Sequence, residues 1–155
     1  MSNESEYYQK SLLAEAAYAE LNDGLTSDQT AKLKESGLSD DQIAEFLQTW
    51  TNVNSYHSLL MGLRVNVFSN PETHEVCIAI AGTNSPLDII IPDSEIALGL
   101  KNSQYPGLSD FYESLIQDGV ITGSDHITAA GHSLGGFLAQ LLTLEYADIS
   151  ETYTY

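Results

Sequence analysis

The chain has 155 residues, 43% of them hydrophobic, enough for one ordinary domain with a buried core. Its 22 acidic side chains against 5 basic ones give a formal net charge of -17, which excludes a nucleic-acid partner because there are no Lys and Arg clusters to meet phosphates. The single cysteine, Cys77, excludes an internal disulfide; inside the apolar run Val76–Ala81 it reads as a buried, inert thiol.

The first residues, Met1-Ser2-Asn3-Glu4-Ser5-Glu6, lack the basic and apolar regions of a secretory signal, and no apolar run reaches membrane-spanning length. The expectation is a cytoplasmic protein, or one exported by a signal-independent route. From Glu4 to Leu21 the chain is rich in Ala, Leu, Glu and Tyr without Gly or Pro, and Tyr8, Leu12, Ala16 and Ala19 recur at helical spacing. This predicts one amphipathic helix ending near Gly24. Two Ser/Thr-x-x-Gln capping boxes follow, Thr26–Gln29 and Ser39–Gln42, with Gly37 placed to end the first of their helices. The second helix is expected to bury Ile43, Phe46, Leu47 and Trp50. Thr51 to Ser58, polar and rich in Asn and Ser, reads as a loop.

Leu63, Val65 and Val67 alternate with Arg64, Asn66 and Phe68, and Val76–Ala81 is continuously apolar, with a turn at Ser69–Glu72 between them. This is a hairpin whose second strand is central. Gly107–Val120 reads as a helix with Leu108, Phe111, Leu115 and Tyr112 inward, His126–Ala130 as a strand, Gly135–Tyr146 as a helix, and Thr152–Tyr155 as the start of another strand. Alternating helices and strands argue for a largely parallel sheet covered by helices.

The richest stretch is Gly131-His132-Ser133-Leu134-Gly135-Gly136, a Gly-x-Ser-x-Gly motif set between a strand and a helix. A serine hydroxyl is a weak nucleophile at its ordinary pKa, so it must be held open to both a base and a carbonyl carbon. A sharp strand-to-helix turn does this, with Gly131 and Gly135 where side chains would crowd it. Ser133 is therefore the candidate nucleophile. The tetrahedral intermediate of acyl transfer needs preorganised donors: the backbone N–H of Leu134 is one, and Thr83, in the turn after Ile80-Ala81-Gly82, is the other.

These residues resemble the class 3 (Rhizomucor-type) lipases of the α/β-hydrolase superfamily. Gly131–Gly136 is similar to that family's elbow, Ile80-Ala81-Gly82-Thr83 to its oxyanion strand (usually Phe-Arg-Gly-Thr or Phe-Arg-Gly-Ser), and Asp88 to its Asp-Trp segment. The resemblance covers residues 60 to 155; Ala81 stands where the family has Arg, and Ile89 where it has Trp. It implies an α/β-hydrolase-like fold, a mostly parallel sheet flanked by helices and incomplete at its C-terminus. Residues 1–55 form a helical N-terminal region, and 56–155 the first portion of the hydrolase domain. It also implies that the segment after Thr83 is a lid, with Leu87, Asp88, Ile89, Ile90 and Ile91 in it; read from the residues, that apolar segment serves equally as a movable flap facing lipid or as a strand packed on the core.

Acyl transfer on this fold uses an acid and then a His after the nucleophile. The 22 residues after Ser133 contain no His. His57 and His74 read as exposed loop residues, His126 begins the elbow strand, His132 resembles a family position with a packing role, and Asp148 reads as a solvated helix-end residue. The expectation is a fragment whose acid and base lie downstream or on a second chain carrying the C-terminal half. The activity expected of the assembled whole is hydrolysis of lipid carboxylic esters through an acyl-enzyme, at a transient lipid interface, without metal or organic cofactor. The alternatives are a phospholipase A1, a short-chain esterase, or a catalytically incompetent scaffold whose first 55 residues bind a partner.

Overall fold

The computed structural model describes residues 3–21, 29–82 and 104–155. Thr83 and the segment 84–103, including Leu87, Asp88, Ile89, Ile90 and Ile91, lie outside the described residues, as do Thr26–Asp28 of the first capping box. Three helices come first: α1 (Asn3–Ala16), α2 (Gln29–Glu35) and α3 (Asp40–Thr49).

Helix α1 ends at Ala16, short of the predicted end near Gly24. The Asn66 side-chain amide donates to the carbonyls of Ala16, Ala17 and Ala19 at 3.0, 3.3 and 2.9 Å, gathering them into the turn that follows the helix. The chain accordingly tightens, with Tyr18 and Ala19 donating to the carbonyls of Glu15 and Ala16. Helix α2 ends at the predicted glycine: Gly37 has φ of +118°, and the Leu38 N–H reaches back to the Leu33 carbonyl, the left-handed cap that glycine permits. At α3 both halves of the Ser39–Gln42 capping box form. Ile43, Phe46 and Trp50 are buried as expected, but Leu47 is 40% exposed, because the step from Phe46 turns it away from the 43–46–50 stripe.

The predicted loop at 51–58 is instead strand β1 (Thr51–Ser58). It pairs antiparallel with β2 (Leu63–Asn70), which pairs antiparallel with β3 (Glu75–Ala81) in the predicted hairpin. Its polar composition suits the edge position it holds among the described strands. Asn52 is buried at the bulge between Asn52 and Asn54, where its amide donates to the carbonyls of Asn54 and Val67 at 3.1 and 3.3 Å. His57 thus lies on a strand and not in a loop. Helix α4 (Tyr105–Gln117), β4 (His126–Gly131), α5 (Leu134–Glu145) and β5 (Ile149–Thr154) complete the described chain. The sheet order is β1-β2-β3-β4-β5, antiparallel up to β3 and parallel from β3 to β5.

Strand β3 is buried on both faces, and its alternation sorts side chains by size. Val76, Ile78 and Ile80 join Leu108, Phe111, Tyr112 and Leu115 of α4 and Leu138 and Leu142 of α5 in one core. Cys77, Ala79 and Ala81 face the other, with Leu12, Leu13 and Ala16 of α1 and Phe46 of α3. Small residues on both the strand and the helix let α1 sit close to the sheet. Lys10, only 3% exposed, pins it there by an ion pair with Glu75. Its ammonium also lies 5.2 Å from the Trp50 ring and 5.3 Å from that of Tyr153. Burial pushes the Cys77 thiol up to about 12, against the opposing pull of Lys10 and Thr128; it is a packed side chain, not a nucleophile.

Candidate active site

Strand β4 ends at Gly131, and α5 begins three residues later at Leu134. Two glycines allow so short a reversal. A Cβ on Gly131 would stand 2.4 Å from the Gly135 carbonyl carbon, and one on Gly135 would stand 2.0 Å from the Ile80 carbonyl oxygen. Both collisions are with backbone, so no side-chain movement relieves them. The second also shows that the first turn of α5 rests directly on the end of β3.

Between the glycines, Ser133 has φ of 54° and ψ of -121°, a conformation costing a non-glycine residue about 1–3 kcal/mol. Hydrogen bonds on both sides hold it: its N–H donates to the Tyr155 carbonyl at 2.8 Å, the Tyr155 N–H donates to the Gly131 carbonyl at 3.1 Å, and the Gly135 N–H donates to the His132 carbonyl at 3.0 Å. The chain leaving β5 thus braces the turn. The Ser133 side chain is exposed and forms no cap to the helix it precedes. Leu134 opens α5, and the first-turn N–H groups of a helix have no intrahelical acceptor and lie at its positive end.

Gly82, the last described residue before Thr83, abuts the same turn. A Cβ there would meet the His132 carbonyl oxygen at 3.4 Å and the Gly135 nitrogen at 3.5 Å. Its N–H donates to the Tyr18 hydroxyl oxygen at 3.2 Å. Burial raises the Tyr18 phenol above its ordinary pKa, the Gly82 N–H opposes this and Glu15 adds to it, so the phenol keeps its proton. The turn carrying Tyr18 is fixed from β2: Asn66, 1% exposed, holds three of its carbonyls as described above, and Arg64 donates to the Tyr18 carbonyl and to Glu20. Arg64 lies opposite Ala81 in the β2–β3 register.

Sequence reasoning did not assign Tyr18, Arg64 or Asn66 to the site. The signal was present in β2, where polar residues alternate with apolar ones as on a half-solvated strand, yet Arg64 and Asn66 are met by the turn that follows α1.

The four histidines are dispersed. His57 lies beside Arg64, with its Nε2 3.5 Å from a guanidinium nitrogen. His74 sits in the β2–β3 turn with φ of 57°. His126 is at the far end of β4 from the elbow, its Nε2 2.8 Å from the Ser150 hydroxyl. His132 is exposed rather than packed, on a cavity of about 290 Å³ that Glu15, Gln42 and Tyr155 also line. Asp148 is exposed and accepts a 2.9 Å hydrogen bond from the Tyr112 hydroxyl. Among the described residues no cluster of His, Cys, Asp or Glu is placed to hold a metal ion, and no helix is long and apolar enough to cross a membrane.

No protein-family model matches the sequence, and no curated protein matches it. Solved structures match its fold. The lipase from Rhizopus microsporus var. chinensis superposes with a TM-score of 0.66 at 17% identity, covering 99% of this chain and 57% of that one. Lip2 lipase from Yarrowia lipolytica gives 0.64 at 19%, covering 99% and 58%, and the Rhizomucor miehei lipase propeptide complex 0.62 at 17%, covering 99% and 53%. The chain has the α/β-hydrolase architecture of these lipases and spans somewhat over half of their length.

Proposed function

We propose that this chain carries the nucleophile and oxyanion site of a serine carboxylic ester hydrolase acting on lipid esters. The observation that carries the reading is the backbone of Ser133, a non-glycine residue at φ 54° and ψ -121° between two glycines that tolerate no Cβ. Backbone strain of this kind persists where it presents a reacting group.

In this reading the Ser133 Oγ attacks the ester carbonyl carbon while its proton passes to a base. The carbonyl oxygen becomes an oxyanion, stabilised by the N–H groups of Leu134, at the start of α5, and of Thr83, which follows Gly82. Collapse expels the alcohol and leaves an acyl-Ser133, which water then hydrolyses. Tyr18, Arg64 and Asn66 act one step removed, by fixing the end of β3 against the elbow. The base and its orienting acid are proposed to come from outside residues 1–155, on a longer form of the protein or a second chain. The dispersal of the four histidines and the share of the lipases' length that the chain spans both support this. No step calls on a metal or an organic cofactor. A lipid ester is favoured by the lipase neighbours and by the apolar residues Leu87, Ile89, Ile90 and Ile91, proposed as a lid.

The test is labelling of the longest natural form with a fluorophosphonate, followed by peptide mass analysis. One adduct on Ser133, absent in Ser133→Ala, is the expected result. An intact protein that takes up no label at Ser133 contradicts the reading and favours a scaffold.

A further inference from the structure

Between β1 and β2 the chain turns through Ser58-Leu59-Leu60-Met61-Gly62. Leu59 is 85% exposed and Leu60 fully exposed, while Met61 is 39% exposed. Elsewhere among the described residues large apolar side chains are exposed singly or as the pair Tyr7 and Tyr8; single ones are ordinary on a soluble surface. Here three follow one another at a hairpin tip, in a chain with 22 acidic residues, and no charge lies between His57 and Arg64.

The base of the tip is firmly held. The Met61 N–H donates to the Ser58 hydroxyl at 3.4 Å, the Gln104 side-chain amide donates to the Met61 carbonyl, and the Met61 sulfur lies against Gly107 of α4. The two leucines project beyond this anchor. The pairings Arg64 with Ala81 and Ile80 with Gly131 place the tip at the same end of the sheet as the elbow.

We infer that the 59–61 hairpin tip is an insertion loop for an uncharged lipid surface and that it sets the elbow facing that surface. A convex tip of two leucines offers far less than the roughly 1,000 Å² that a specific protein interface buries, whereas a fluid apolar phase needs no complementary shape. A net charge of -17 is repelled by anionic leaflets, which leaves neutral or zwitterionic surfaces. The inference deepens the ester-hydrolase reading, on which the surface's identity as substrate rests.

Flotation of the chain with phosphatidylcholine-coated triolein droplets tests it. The unaltered chain is expected to float, and Leu59→Asp/Leu60→Asp to lose at least about tenfold in partition, since burying one leucine is worth about that factor or more. Both side chains are exposed, so far-UV circular dichroism and the unfolding midpoint are expected to stay unchanged; Leu60→Ser gives a second reading should the double variant misfold. Equal flotation of variant and parent overturns the inference. So does a dimer in sedimentation velocity that the double variant abolishes, because the tip then serves a second copy. Flotation reads binding and not turnover. Loss of flotation by the double variant with Ser133 unlabelled in the longest natural form overturns the hydrolase reading alone, and unchanged flotation with Ser133 labelled in that form overturns the tip alone.

Discussion

The turn at 131–135 and the turn at 16–21 both press on Gly82, yet one is made by removing side chains and the other by adding them. At the elbow, Gly131 and Gly135 leave out the Cβ atoms that would strike backbone, and the strain falls on Ser133 within the same five residues. At the N-terminal turn no residue is strained; the shape is imposed by Asn66 and Arg64, which reach from a strand nearly fifty residues away. A turn set by local sterics is written in adjacent residues. A turn set by distant hydrogen bonds is written only in the fold.

Breaking each turn separately sharpens the contrast. Gly135→Ala has the largest expected effect: its Cβ would lie 2.0 Å from the Ile80 oxygen, and forcing the end of β3 from α5 costs roughly 4 kcal/mol or more, seen as a fall of 10 °C or so in the unfolding midpoint. A midpoint within about 1 °C of the parent contradicts the steric account. Asn66→Ala comes next. It leaves buried carbonyls short of a donor and is expected to cost roughly 3 kcal/mol, with faster hydrogen exchange at Tyr18 and Ala19 while the amides of Ser133 and Gly135 keep their protection. Equal loosening of both sets would show that the two turns are one cooperative unit. Tyr18→Phe is the mildest, removing one hydroxyl from Gly82 for about 1 kcal/mol. Faster exchange of the Gly82 amide is the expected mark, and an unchanged rate there denies Tyr18 its bracing role.

The same distinction explains what could be read in the sequence. The elbow, the β2–β3 hairpin, α4, α5, the Ser39–Gln42 capping box and the glycine cap at Gly37 depend on neighbours in the chain, and each is found in the fold. Strand β1 was not legible, because Asn52, Asn54 and Ser55 look like loop residues until β2 provides their pairing and Val67 a carbonyl for Asn52. The early end of α1 was hidden for the same reason, since no Gly or Pro marks it and the turn that follows it is held by Asn66 from β2. Leu47 was misplaced by treating every large apolar residue of α3 as inward. Of the candidate site, the elbow residues Gly131, His132, Ser133, Leu134 and Gly135 are gathered at one turn, with His132 exposed; Thr83 and Leu87–Ile91 lie outside the described residues.

The central proposal is that this chain presents Ser133 as a nucleophile whose base and acid come from elsewhere. Hydrolysis of p-nitrophenyl butyrate by the purified 155-residue chain tests it most directly, beside Ser133→Ala under the same conditions. Both are expected to run at the uncatalysed rate. Steady turnover by the chain alone, abolished in Ser133→Ala, would contradict the account by showing that a base for Ser133 lies within these 155 residues.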